Sequence, residues 1–151
     1  MTVSPTTYET LEEVRVHLER LMVLYPASEE IRDQYANIQW QIWQERARPE
    51  QQMPDSDDWR VWYLMGGRGS GKTRTGAETL ARWEHQHPGL YAAVAPTFAD
   101  ARDVCAEDPG SGLLAVLGNR VAPGGWNRSL GEIHLVSGSR IFLDGADDGA
   151  L

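Results

Sequence analysis

The chain has 151 residues, of which 41% are hydrophobic and 24% charged, and its net charge is −8. This composition is typical of a soluble globular protein with a core of its own, and no run approaches the ~18 consecutive apolar residues of a membrane span. The single cysteine excludes an internal disulfide and suits a reducing compartment. Residues 1–58 hold five arginines against twelve acidic residues, a net charge of −7, whereas residues 59–151 carry −1. We therefore do not expect the first part to hold nucleic acid by charge.

Two amphipathic helices are predicted in residues 1–45. Thr10 begins a T-x-x-E capping box, and the first helix that follows is ended by Pro26. Ser28 and the two glutamates after it open the second helix. The first apolar face consists of Leu11, Val14, Leu18, Leu21 and Tyr25. We expect an antiparallel hairpin, which serves either as a helical cover or as a docking module for another protein.

A glycine-rich loop follows a polar, proline-bearing linker at residues 46–58. The loop, Gly66–Thr73, fits the phosphate-loop pattern G-x-x-x-x-G-K-[ST] without a mismatch. Before it, Trp59–Met65 is rich in β-branched and aromatic residues and is predicted as a buried strand. After it, residues 73–87 are predicted as a helix. Strand, glycine loop and helix form the context that a phosphate loop requires.

The chemistry of phosphate binding explains the residue types of this loop. Glycines accept positive φ at little cost, so successive N–H groups can surround an anion at the start of a helix. Lys72, the only lysine of the chain, is predicted to reach the β- and γ-phosphates, and Thr73 to ligate Mg²⁺ through its hydroxyl. The predicted phosphate-binding residues are Gly66, Gly67, Arg68, Gly69, Ser70, Gly71, Lys72 and Thr73. The alternative is a glycine-rich turn without a ligand.

Further elements are predicted beyond the loop. A strand at Leu90–Ala95 would complete a right-handed βαβ unit over residues 59–95. The later segments are predicted as a short helix at Phe98–Glu107, a short apolar element at Ser111–Leu117, a loop at Val121–Arg128, and a hairpin of Glu132–Val136 with Arg140–Leu143. Asp144 is interpreted either as a Mg²⁺ ligand or as a solvent-exposed carboxylate at the end of the hairpin. The second interpretation is favoured, because Arg140 stands where a buried strand would have an apolar residue.

Four segments resemble the large terminase subunits of tailed bacteriophages. The first, Trp59–Glu78, reads WRVWYLMGGRGSGKTRTGAE, and the others are Ala95–Val104, Ser111–Val116 and Ser137–Leu151. The resemblance covers roughly residues 48–151 and corresponds to the ATPase half of that family. In such proteins an N-terminal motor hydrolyses ATP to drive double-stranded DNA through a portal into an empty capsid, and a C-terminal nuclease of RNase H-like fold cuts the DNA.

The resemblance implies an α/β fold, an ASCE-type P-loop NTPase with an incomplete parallel sheet behind an N-terminal helical hairpin. It implies three regions: the N-terminal helices (1–45), the linker (46–58) and a partial ATPase domain (59–151). The implied cofactors are ATP and Mg²⁺. The implied partners are double-stranded DNA, a portal protein, a small terminase subunit and further copies of the chain in the motor. No membrane is implied, and the expected location is the host cytoplasm, transiently at the procapsid portal.

The resemblance also implies residue roles. Lys72 and Arg68 would be catalytic, because a guanidinium inside the loop can neutralise charge on the γ-phosphate; the alternative for Arg68 is a side chain in solvent. Gln51 or Gln52 resembles the adenine-contacting glutamine of the family, and Pro96-Thr97 resembles a helicase-like segment near nucleotide or DNA.

The family's Mg²⁺-binding aspartate, catalytic glutamate, coupling motif and nuclease would follow Leu151. We therefore expect a fragment or the product of an interrupted gene, inactive as an ATPase alone. The alternative functions are a helicase-like P-loop ATPase and a truncated nucleotide-binding module without turnover.

Overall fold

The computed structural model describes residues 10–56 and 58–147 of the chain. The chain divides into two compact units, residues 1–46 and 47–151. In the described residues the chain is mixed α/β, with five α-helices and a four-stranded mixed sheet. Within the same ranges, no helix combines the length and the apolar character that a membrane span requires.

The first unit contains two helices, α1 (Leu11–Leu24) and α2 (Glu29–Arg46). The predicted capping box is confirmed: Glu13 N–H donates to Thr10 Oγ1 at 3.2 Å, and Thr10 N–H donates to the Glu13 carboxylate at 3.3 Å. Both bonds satisfy donors that the first turn of a helix leaves without a partner. The predicted start of the first helix is therefore correct.

The two helices pack through a small apolar core of Leu18, Met22 and Tyr35. The Tyr35 hydroxyl donates to Glu19 Oε1 at 3.0 Å, so the one polar atom of this core side chain has a partner. Burial, followed by the nearby Glu19 carboxylate, raises the pKa of Tyr35. The hydroxyl therefore remains protonated and able to donate at neutral pH. Of the predicted face of α1, Leu18 is buried and Val14 and Leu21 are partly buried against this core, whereas Tyr25 is 51% exposed and the unpredicted Met22 is buried.

The second unit begins with a 3₁₀ turn and continues with helices and strands. In order, its elements are the 3₁₀ turn Pro49–Gln51, α3 (Lys72–Gln86), β1 (Leu90–Ala95), α4 (Phe98–Asp100) continuing into a π-helical turn (Ala101–Ala106), α5 (Leu113–Leu117), a 3₁₀ turn (Gly118–Arg120), β2 (Val121–Asn127), β3 (Glu132–Leu135) and β4 (Arg140–Gly145). The predicted helix after the glycine loop, the strand at Leu90–Ala95 and the hairpin of β3 with β4 are confirmed.

The sheet has the strand order β1-β4-β3-β2. β1 and β4 are parallel, with Leu90 opposite Arg140 and Ala95 opposite Gly145. β3 pairs antiparallel with both β2 and β4. The expected incomplete parallel sheet is therefore corrected to a mixed sheet, because the hairpin turn at Ser137-Gly138 reverses the chain within the sheet.

Helices cover one face of this sheet. The buried core on that face consists of Ala77, Ala81, Ala101, Ala106, Leu113, Val116, Leu117, Ile133, Leu135, Ile141 and Leu143. On the other face of β1, Leu90 and Val94 are 69% and 62% exposed. Because successive side chains of a strand point to opposite faces, the alternating burial along β1 follows from one-sided packing.

Two sequence predictions are wrong. Trp59–Met65 has no regular structure and pairs with no strand among the described residues, so residues 59–95 do not form a βαβ unit. A strand without a hydrogen-bonding neighbour cannot satisfy its backbone groups, whatever its side chains. Conversely, Val121–Asn127 is a strand although it was predicted as a loop, because its backbone pairs with β3 around a bulge. The bulge lies between Val121 and Trp126 and contains the Pro-Gly-Gly sequence, which a regular central strand would not accommodate.

Candidate phosphate-binding site

The glycine loop is held in a curled conformation immediately before α3. Gly69 and Gly71 have φ of 77° and 82°, a region that side-chain-bearing residues rarely adopt. Gly71 is doubly constrained, because a Cβ atom there would lie 2.8 Å from Gln51 Nε2. The helix starts at once after this residue, since Thr75 N–H donates to Gly71 O at 2.9 Å. The loop therefore ends where the free N–H groups of a helix begin.

Lys72 lies over the loop that precedes it. Its Nζ donates to Gly66 O at 2.6 Å, to Gly67 O at 2.7 Å and to Ser70 Oγ at 3.3 Å. An ammonium has three donors and no acceptor, so these contacts match its full capacity. They place the positive charge of the lysine in the middle of the loop, close to the N-terminus of α3, where an anion is also favoured by the helix dipole.

The other predicted ligands lie around this charge. Thr73 is half-buried in the first turn of α3, and the residues Gly67, Arg68 and Gly69 are exposed to solvent. Arg74, which follows Thr73, donates to Gly110 O at 2.9 Å and forms an ion pair with Glu78. The predicted phosphate-binding residues are thus contiguous in space. Arg68 is exposed, as its alternative interpretation requires, and it also remains accessible to a bound anion.

A cavity of about 310 Å³ lies beside the loop, lined by Arg48, Glu50, Gln51, Leu64, Met65 and Ser70. Both apolar and polar side chains contribute to it, as in pockets that hold small molecules. Gln51, one of the two candidate adenine-contacting glutamines, is in this lining and only 7% exposed. Gln52 is exposed. The two glutamines that the sequence left open therefore differ in burial.

Two further polar segments have local structural roles. Thr97 caps α4, because its Oγ1 accepts from Asp100 N–H at 3.1 Å. Asp144 is exposed near the end of β4, and its Oδ1 accepts from Gly145 N–H at 2.8 Å. In residues 10–56 and 58–147, no cluster of three or more His, Cys, Asp or Glu side chains could hold a metal ion. Asp148, an acidic residue of the terminase-like segment Ser137–Leu151, lies outside the described residues.

A buried ion pair holds the opposite end of α3. Arg120 donates to Glu84 Oε2 at 2.6 Å and to Ala81 O at 2.7 Å, and Ser137 donates to the other carboxylate oxygen. Burial alone would raise the pKa of Glu84, but hydrogen bonds from Ser137 and Ser139 and the Arg120 guanidinium together lower it. Sequence analysis missed this network, because its members are 36 and 53 residues apart along the chain.

Sequence analysis also missed two residues beside the loop, Arg48 and Thr75. Arg48 donates to Ser70 O at 2.5 Å, and Thr75 accepts from Gln51 Nε2 at 2.9 Å. Arg48 lies in the stretch predicted as a linker, and no local signal marks it. Thr75 follows the phosphate-loop pattern by two residues, so its proximity to the loop was the available signal.

Comparison of the chain with protein-family models found no matching family. Searches of curated proteins and of solved structures also found no match. The site is therefore interpreted from its own residues and their geometry.

Proposed function

We propose that the chain binds Mg-ATP through Gly66–Thr73, as the ATP-binding portion of a large terminase subunit. The observation that carries this proposal is the position of Lys72. The only lysine of the chain is held inside a complete phosphate-loop sequence, directly at the start of a 15-residue helix. A loop with this charge, positive-φ glycines and free helix N–H groups is suited to a polyphosphate.

Different groups of the loop bind different parts of Mg-ATP. Lys72 exchanges its contacts with the loop carbonyls for the β- and γ-phosphate oxygens. The backbone N–H groups at the start of α3 donate to the same phosphates, and the hydroxyl of Thr73 is the protein ligand that would hold Mg²⁺. When bound, Mg²⁺ supplies neutralisation of charge shared between the β- and γ-phosphates. Arg68 reaches the γ-phosphate from the solvent side.

The motor context of this proposal comes from the terminase resemblance. We propose double-stranded DNA, a portal protein, a small terminase subunit and further copies of the chain as the partners, in the host cytoplasm and at the procapsid portal. The segments that resemble terminases include the first half of α3, all of α4, most of α5 and β4, which belong to the second unit. A helicase-like ATPase remains the alternative, supported by the same loop.

A titration calorimetry experiment with Mg-ATP tests the binding site. We expect Lys72→Ala to weaken ATP binding by about ten- to a hundredfold, because charge-assisted hydrogen bonds to phosphate are lost. Arg60→Ala removes an exposed cation just before the loop and is the matched control, expected to bind as the wild type. Equal affinities of the wild type and Lys72→Ala would reject the site.

We also propose that the 151-residue chain holds ATP without turning it over. Hydrolysis requires an acidic residue that holds Mg²⁺ and a carboxylate that orients water. Asp144, the candidate Mg²⁺ ligand from the sequence, accepts a hydrogen bond from the N–H of its own neighbour near the exposed end of β4. Phosphate release should therefore be negligible with and without Mg²⁺. Turnover that depends on both Mg²⁺ and Lys72 would contradict this and favour a complete ATPase.

A further inference from the structure

We propose that Arg48 and Gln51 are positioning residues that hold the phosphate loop in its binding conformation. Through the loop they affect how the phosphates of the ligand are bound, and they do not contact its base. These two side chains together form a brace for the loop. The inference rests on the proposed function, since it concerns how the same loop is prepared for its ligand. It departs from the adenine-contacting role that the terminase resemblance implies for Gln51.

The first contact of the brace fixes one peptide group of the loop. Arg48 Nη2 donates to Ser70 O at 2.5 Å. The carbonyl of Ser70 and the N–H of Gly71 belong to the same planar trans peptide, so they point in opposite directions. Because Arg48 holds the carbonyl on its own side, the N–H of Gly71 is directed away from Arg48. The contact therefore sets the direction of one potential phosphate donor.

The second contact fixes the next peptide group. Gln51 Nε2 donates to Thr75 Oγ1 at 2.9 Å, and Thr75 Oγ1 donates in turn to Gly71 O at 2.9 Å. The bond from Gln51 occupies the oxygen of Thr75 and so directs its hydrogen towards Gly71. By the same planar geometry, holding the Gly71 carbonyl directs the N–H of Lys72 away from Thr75. Gly71 O also accepts from Thr75 N–H at 2.9 Å, a backbone bond of α3, so the contact through Gln51 and Thr75 reinforces the direction that the helix gives to the N–H of Lys72. Arg48 and Gln51 thus support two consecutive peptide groups of the loop.

Gln51 is itself rigidly held. Its Oε1 accepts from Arg48 N–H at 3.2 Å, and its Nε2 donates to Thr75 Oγ1 at 2.9 Å. The residue is 7% exposed. Each end of the carboxamide therefore makes one hydrogen bond within the protein. Gly71 lies so close to Nε2 that a Cβ atom would approach it to 2.8 Å. Such close contact with the loop is what a positioning residue requires, whereas a base-reading amide needs a free edge.

The two roles predict different ligand dependence. A residue that orients loop N–H groups affects every ligand that carries a triphosphate, with or without a base. A residue that contacts adenine affects ATP and leaves inorganic tripolyphosphate unchanged. Binding of ATP and of inorganic tripolyphosphate, each with Mg²⁺, therefore separates them by calorimetry.

The chain offers matched controls for Gln51 and for Thr75, the residue through which Gln51 acts. Gln51→Ala is compared with Gln44→Ala, which removes an exposed amide from α2, in the first unit. Thr75→Val is compared with Thr79→Val one turn later, where the buried hydroxyl has no hydrogen-bond partner in the described parts of the chain. We expect Gln51→Ala and Thr75→Val to weaken ATP and tripolyphosphate equally, by about three- to tenfold. Neither control variant should change either affinity.

A double mutant gives a second measurement. Because Gln51 and Thr75 act through one hydrogen bond, Gln51→Ala/Thr75→Val should lose no more affinity than the larger single loss. Arg48→Ala removes an exposed side chain and leaves the core intact, so it tests the brace even if Gln51→Ala does not fold. Thermal unfolding without ligand verifies that each variant is folded before titration.

Three results overturn the proposal. A loss confined to ATP, with tripolyphosphate binding unchanged, would assign Gln51 to the base. Unchanged affinities in Arg48→Ala, Gln51→Ala and Thr75→Val would show that the loop needs no brace. If the wild-type chain binds neither ligand, the proposed function itself fails, and the role of the brace in ligand binding fails with it.

Discussion

The two flanks of the glycine loop differ although both are rich in apolar residues. On the helix side, α3 is regular, and Ala77 and Ala81 are 4% and 3% exposed. On the other side, residues 59–65 form no strand, and Val61, Tyr63 and Met65 are 79–81% exposed. A helix satisfies its backbone hydrogen bonds within itself, whereas a strand requires a neighbour. Apolar residues next to the loop are therefore sufficient for a helix to form on one side, but a strand on the other side would also need a neighbouring strand.

The less regular flank is nevertheless attached at its beginning. The ring of Trp59 lies 5.9 Å from that of Trp83 on α3 and 6.4 Å from that of Trp62. The indole N–H of Trp83 donates to Met53 Sδ at 3.2 Å. Aromatic contacts thus anchor the start of the flank, and beyond them half-buried Trp62 and Leu64 alternate with the exposed Val61, Tyr63 and Met65. The difference between the flanks lies in what covers them, which mutations can test.

The largest expected effect comes from breaking the buried ion pair that holds α3. Arg120→Met leaves the Glu84 carboxylate, 2% exposed, without its charged partner. Loss of one partner of a buried ion pair costs about 3–5 kcal/mol. We expect a fall of this size in the free energy of unfolding, measured with urea at neutral pH.

Arg128→Met is the control for that variant. Arg128 pairs with Asp103 and Glu107, but its side chain is 54% exposed, so its removal should cost at most about 1 kcal/mol. The double variant Arg120→Met/Glu84→Leu should recover part of the loss, because no unpaired charge is then buried. Equal losses for Arg120→Met and Arg128→Met would show that burial does not distinguish the two ion pairs.

A smaller effect is expected from pH, acting on the same ion pair. Because the pKa of Glu84 is lowered from its ordinary value of 4.5, the unfolded chain binds this proton more readily than the folded chain. The carboxylate therefore stabilises the fold above pH 4.5, and its contribution is lost as the pH falls through the lower folded-state pKa. We expect the stability gap between wild type and Glu84→Gln, from urea unfolding, to narrow below pH 4.5. A gap that stays constant down to pH 3 would contradict the lowered pKa.

Local signals in the sequence predicted part of the fold correctly. Thr10 and Glu13 form their capping box, and the glycine loop is followed directly by α3, because both features depend on neighbouring residues. Strand pairing was less predictable, since it depends on distant segments: Val121–Asn127 pairs with β3 despite its proline and glycines, and Trp59–Met65 finds no partner among the described residues.

The candidate site shows the same division. The positions of Lys72 and Thr73 follow from the phosphate-loop pattern alone. The contact of Arg48 with Ser70 spans 22 residues, and that of Gln51 with Thr75 spans 24. No periodicity or motif encodes such distances, so only the folded structure brings these side chains together.

The smallest expected effect sharpens the comparison between the flanks. Val61 is 81% exposed and Val116, in α5, is 4% exposed, so the same change from valine to serine tests each environment. Val61→Ser should alter the free energy of unfolding by no more than about 0.5 kcal/mol, as is usual for surface substitutions. Val116→Ser should cost about 2 kcal/mol or more, because buried apolar area is lost and a hydroxyl is buried. Urea unfolding of both variants provides the measurement.

If Val61→Ser costs as much as Val116→Ser, residues 59–65 are packed in solution, and the contrast between the flanks is wrong. If the prediction holds, the apolar side chains of this segment contribute little to stability within the chain, and their exposed row (Val61, Tyr63 and Met65) is a patch that promotes self-association. Light scattering should then show less association for Val61→Ser than for the wild type.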